Sequence, residues 1–211
     1  MSNLSLLVTR PNHDRPTNYL CHWSQLVIDL AKQKNFSVYD LKGKKANKKT
    51  FSSYVKKNNP QIIFFNGHGD VDKITGINDE VLIEVDKNDH LLKGRIIYAR
   101  SCRSAQILGV NCVKKKKAVA FIGYKNDFIL FNDEEKITKP LSDRIASYFL
   151  EPSNLVITTI IKGNSPEEAY DRSQKESIRK IKFLLSPKAP AEEKSLITYM
   201  WRNMRAQVII N

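Results

Sequence analysis

No stretch of this chain approaches the roughly 18 consecutive apolar residues of a membrane-spanning helix, so no membrane partner is expected. The N-terminal stretch MSNLSLLVTRPNHDR has a short apolar run with no basic region before it, and reads as a first strand rather than a signal peptide. Cysteine is scarce. Three residues, an odd number, make no disulfide framework. That points to a reducing cytosol and leaves Cys102 as a free thiol. There is no G-x-G-x-x-G and no Walker loop, so a nucleotide cofactor is not expected. Metal-ligand spacing is missing as well. His13, His22 and His90 have no ligand neighbour at a suitable interval, and Cys21 and His22 are adjacent rather than spaced. Asp86 and Asp89, near His90, match no calcium loop. Neither cofactor nor metal is therefore expected, and no internal repeat is present.

Acidic residues are few: 22 Asp and Glu face 35 Lys and Arg, for a formal charge of +13. An excess of this size raises the question of a polyanionic partner. The lysines are spread along the chain, however. The densest runs, Lys42–Lys49 and Lys114–Lys117, fall where loops or helix ends are expected, without the interleaved aromatics of a base-stacking platform. Nucleic acid is thus not the expected direct ligand, and the charge suits docking of an acidic protein.

What is present is an alternation of strand and helix signals. Strands are expected at Leu4–Thr9, Phe36–Leu41, Ile62–Asn66, Arg95–Arg100, Ala118–Gly123 and Ala206–Ile210, with a small hairpin around Val81–Val85. Helices are expected over Asn18–Gln33, where Leu20, Trp23, Val27 and Leu30 share a face, and over Lys48–Lys57, which Pro60 prevents from continuing. Others are expected from about Cys102 towards Lys115, and over Lys139–Leu150, Pro166–Leu184 and Glu192–Met204. Trp23 and Trp201 read as packing residues, and Cys112 as core. This alternation predicts an α/β fold: three layers, α/β/α, around a mostly parallel central sheet. Ser186–Pro190 has linker composition, but the stretch beyond it is too short for a second domain, so residues 1–211 are expected to form one domain.

Two short apolar runs each end in a reactive side chain. IIFFNGHGD, Ile62–Asp70, delivers His68, and RIIYARSCRSA, Arg95–Ala105, delivers Cys102. In open α/β sheets, functional groups gather beyond the carboxyl ends of the strands. A histidine and a cysteine on two such ends can meet although 34 positions separate them, which is what a thiol nucleophile and its base require. His68 lies between Gly67 and Gly69, which permit a tight turn and a close backbone approach. Cys102 is expected to open a helix, whose N-terminal field favours a thiolate. The backbone N–H groups of Gly69 and Cys102 are candidate oxyanion donors.

These blocks resemble those of the caspase-like (clan CD) cysteine peptidases. NGHGD, Asn66–Asp70, is similar to their histidine motif, and YARSCRSA, Tyr98–Ala105, to their cysteine motif. VAFIGY, Val119–Tyr124, resembles the next strand of the bacterial CHAT and clostripain-like members. The resemblance covers about residues 4–150 in strand order and the rest loosely. The caspase sequence Q-A-C-[RQG]-G is partly met: Arg103 fits, whereas Arg100, Ser101 and Ser104 stand where Gln, Ala and Gly would be. The resemblance implies a caspase-like fold and hydrolysis of peptide bonds in a protein or peptide substrate. Cys102 would be the nucleophile and His68 the general acid/base, with no third member required, and Asp70 reads equally as a turn residue. It also implies control by a separate regulatory protein or by loop ordering, and a setting in bacterial defence or cell death. In the family, the position two before the cysteine often lines the pocket for the residue before the cut. Here that is Arg100, suited to an acidic side chain. The segment after the fifth strand, which also contributes in relatives, carries Asp127, suited to a basic one. The two oppose each other, or pair and leave the pocket neutral. Two other classes stay open: a non-catalytic protein-interaction module of the same fold, and a basic nucleic-acid-binding protein.

Overall fold

Alternation along each apolar run sends odd and even residues to opposite faces of a sheet. The computed structural model describes residues 4–211, so the reading of Met1–Asn3 lies outside the described residues. In chain order the elements are β1 (Ser5–Arg10), α1 (Arg15–Gln33), β2 (Ser37–Lys42), α2 (Lys48–Asn58), β3 (Ile62–Asn66), β4 (Gly69–Asp70), β5 (Lys73–Thr75) and β6 (Val81–Glu84). They continue with β7 (Ile96–Arg100), α3 (Leu108–Lys114), β8 (Ala120–Tyr124), α4 (Arg144–Ile161), α5 (Pro166–Leu185), α6 (Leu196–Ala206) and β9 (Gln207–Ile210). Six strands form one sheet in the order β2-β1-β3-β7-β8-β9. All neighbours in it are parallel except β9, which runs antiparallel to β8. β4, β5 and β6 make a small antiparallel sheet, which includes the expected hairpin.

Leu7, Ile63, Phe65, Ile97, Ala99 and Phe121 face α2, α3 and the small sheet in one buried cluster. Leu6, Val8, Ile62, Phe64, Tyr98 and Ile122 face α1 and α4 in another. Helices therefore cover both faces, and the layering is α/β/α. α5 and α6 pack through Ile181, Leu184, Leu196 and Met200 on Tyr148 and Phe149 of α4. Ser186–Pro190 joins these two packed helices, and its Ala189 belongs to their cluster. Trp23 is buried as expected, but Trp201 is about half exposed, so it is not a packing residue.

Two helices depart from the sequence reading. α4 does not stop near Leu150. It runs through Pro152 to Ile161, where Val156, Ile157 and Ile160 cover the sheet. Their burial outweighs the hydrogen bond that proline removes. α3 does not begin at Cys102 but six residues later, at Leu108. The intervening backbone N–H groups are drawn to other strands and loops: Arg103 donates to the Asn126 carbonyl, Ala105 to Tyr124, and Ile107 and Leu108 to Val71. Arg103 adopts φ +56°, in the left-handed region, which also prevents a helix there.

Candidate active site

The strand order reverses direction at β1 and β3: β2 lies on one side of β1, and the chain then returns to add β3 on the other. The crevice beyond the carboxyl ends of such a pair is where α/β sheets bind ligands. Three segments meet there. The β1–α1 loop brings His13 and Asp14, the β3–β4 turn brings His68, and the turns after β7 bring Ser101 and Cys102. A pocket of about 220 Å³ is lined by Gly67, His68, Arg100, Ser101, Cys102 and Thr17, with apolar surface from Pro16, Leu20, Phe128 and Leu130.

The glycines around His68 are dictated by crowding. Gly67 has φ +151°, and a Cβ there would lie 2.4 Å from the Thr75 carbonyl oxygen. A Cβ on Gly69 would lie 2.9 Å from the Cys102 carbonyl oxygen and 2.9 Å from Ser101 Cβ. The backbone of the histidine turn is thus pressed on that of the cysteine turn. Gly69 and Cys102, the two candidate oxyanion donors, are neighbours in space.

Asp14 was not foreseen. Its Oδ1 accepts a hydrogen bond from the Thr17 backbone N–H, 2.8 Å, as N-cap of α1. Its Oδ2 lies 2.6 Å from His68 Nε2. Burial raises the Asp14 carboxyl, but the bonds from Thr17 and His68 outweigh it and hold the group below the ordinary carboxylate value. One carboxylate therefore starts a helix and fixes an imidazole. The Asp-x-x-Thr box just past the first strand was the sequence signal for it. His13, set aside in the sequence for lack of ligand spacing, lies edge-on to His68 with ring centroids 6.0 Å apart.

Cys102 is half-buried, whereas Cys21 and Cys112 are buried. With no helix starting at Cys102, the expected field for a thiolate is missing. Burial pushes the Cys102 thiol up and Asp127 adds to this. A hydrogen bond from the Phe128 backbone and the charge of Arg103 only partly oppose the rise. Cys112 is core, its thiol pushed up to about 12 by burial.

Arg100 and Asp127 are not brought together. Asp127 pairs with Arg103 at 3.0 Å, and Arg103 also reaches Asp70 at 3.5 Å. Arg100 is fully buried in the pocket wall. It donates to Asn66 Oδ1, Asn154 Oδ1, Ser24 Oγ and the Leu20 carbonyl, all neutral, with its guanidinium over the Phe64 ring. Among the described residues no carboxylate pairs with it, and burial lowers it to about 10. The segment after β8 does reach the pocket, through Phe128 and Leu130 rather than Asp127. Between them, the Ile129 N–H donates to Asn203 Oδ1 at 2.8 Å and the Ile129 carbonyl accepts from Asn203 Nδ2 at 2.6 Å, which clasps this wall to α6.

No helix is long and apolar enough to cross a membrane among the described residues. Neither the known protein-family models nor the curated proteins include a match to this chain.

Proposed function

We propose that the chain is a cysteine endopeptidase of caspase-like fold, working through Cys102 and His68. The observation that carries this reading is the shared pocket: both side chains line one cleft at the strand ends, with Gly69 packed on the Cys102 backbone. In this reading the Cys102 thiol gives its proton to the imidazole as sulfur attacks the scissile carbonyl, and the N–H groups of Gly69 and Cys102 receive the oxyanion. His68 then protonates the leaving amine, and water hydrolyses the thioester and restores the thiol. Asp14 is a positioning residue that holds the imidazole. The un-neutralised charge of Arg100 in the wall favours an acidic substrate side chain, acting through its field because most of its donors are already engaged.

The raised Cys102 thiol favours a second reading, a non-catalytic interaction module of the same fold. The deciding experiment is digestion of a diverse peptide library with wild type and Cys102→Ala, read by mass spectrometry. Cuts lost in Cys102→Ala, most of them after acidic residues, are the expected result. A library left uncut, with Cys102 also resistant to a peptide electrophile, would leave the interaction module as the function.

A further inference from the structure

We infer that His13, Asp14 and His68 form a zinc site whose occupation shuts the proposed peptidase. One nitrogen from each imidazole and one carboxylate oxygen lie within 4.8 Å of one another. Asp14 Oδ2 is 2.6 Å from His68 Nε2 and 3.8 Å from His13 Nε2. Ligand atoms on a tetrahedral zinc with bonds near 2 Å stand about 3.3 Å apart. A small inward shift of the His13 ring, together with a slight opening of the Asp14–His68 pair, would bring the three atoms to that spacing.

His13 supplies a second, independent observation. Both of its ring nitrogens are buried and neither has a hydrogen-bond partner among the described residues. A shielded imidazole without a partner is costly, and its Nε2 lies 3.8 Å from Asp14 Oδ2 and 3.5 Å from Asp79 Oδ1. A cation bound there would satisfy the orphaned nitrogen. It would also meet two carboxylates, which outweigh the unfavourable field of the α1 N-terminus. Two imidazoles and a carboxylate, with a fourth position open to water, are a donor set suited to zinc and unsuited to calcium or magnesium.

The inhibitory arm rests on the peptidase reading; the binding arm does not. Zinc would take the His68 nitrogen that now faces Asp14, leaving the other ring nitrogen as an N–H that cannot accept the thiol's proton. The site does not use the thiol, which separates it from chelation by a cysteine–histidine pair.

The test is equilibrium dialysis of the full chain against zinc, with cobalt as a spectroscopic probe. Wild type and Cys102→Ala should each bind one zinc. His13→Gln should bind more weakly by about tenfold or more, with its fold verified by circular dichroism. Cobalt should give visible d–d bands without a thiolate charge-transfer band. Absence of stoichiometric binding, equal binding by His13→Gln, or loss of binding in Cys102→Ala would each overturn the site. Where library cleavage is observed, zinc should inhibit wild type and spare His13→Gln. Equal inhibition of both would remove the regulatory role and leave the binding result standing.

Discussion

At the scale of single residues, the thiol is the decisive group. Cys102 is held above the ordinary cysteine value, first by burial and then by Asp127. Raising a thiol's pKa lowers its thiolate fraction at neutral pH, and the thiolate is the nucleophile. Alkylation of Cys102 by iodoacetamide, followed by peptide mass spectrometry, should therefore accelerate with pH well beyond about 8.5, the ordinary thiol midpoint. A rate already level at neutral pH would show a thiolate that this environment does not stabilise. Cys21 and Cys112 are buried, so labelling of the folded protein should fall on Cys102. Of the residues that make up this site, His68, Cys102, Gly69 and Arg100 were legible because each follows or ends an apolar run. Asp14 was marked only as a helix cap by its Asp-x-x-Thr spacing; its bond to His68, 54 positions away, and the place of His13 beside that pair are recorded by no local spacing.

At the scale of elements, the β3–β4 turn and the turns after β7 act as one interlocked unit. Gly69→Ala places a methyl 2.9 Å from a backbone oxygen, where neither side can yield cheaply. Overpacking of this kind costs about 1–3 kcal/mol, or roughly 2–12 °C in melting temperature for a chain of this size. Calorimetry should show that loss, and unchanged melting would mean that the two turns are free of each other. The six strands of the large sheet were readable to within two residues, because a buried strand needs only a short β-branched run, whereas β4 and β5 lie in a polar stretch without that signal. α3 and α4 were misplaced because tertiary bonds overrode local preference. In α3, Ala105, Ile107 and Leu108 gave their N–H groups to Tyr124 and Val71. In α4, burial of Val156 and Ile157 carried the helix past its proline.

At the scale of the whole molecule, Arg100 ties the layers together. From the end of β7 it reaches Asn66 of β3, Leu20 and Ser24 of α1, and Asn154 of α4. Asn154 in turn donates to the Trp23 carbonyl at 2.9 Å. Arg100→Leu would leave Asn66 Oδ1 and Asn154 Oδ1 buried without this donor, whereas Ser24 Oγ and the Leu20 carbonyl keep their bond to each other, at a cost of about 3 kcal/mol. The expected result is a lower urea midpoint with little change in slope. An unaltered midpoint would mean that the network contributes no net stability. The sequence marked Arg100 for a substrate role. That it also fastens a helix pair to the sheet depends on partners up to 80 positions away, which no periodicity encodes.

The clasp between Ile129 and Asn203 carries a consequence in time. Synthesis delivers the chain from its N-terminus, so the polar side chains of the central crevice, from His13 to Cys102, emerge long before Asn203 does. The wall bearing Phe128 and Leu130 has its anchor only when α6 arrives. A nascent chain on the ribosome therefore carries its thiol and its imidazoles ahead of a finished pocket, and α6, made well after them, is the helix that anchors the wall of the cleft.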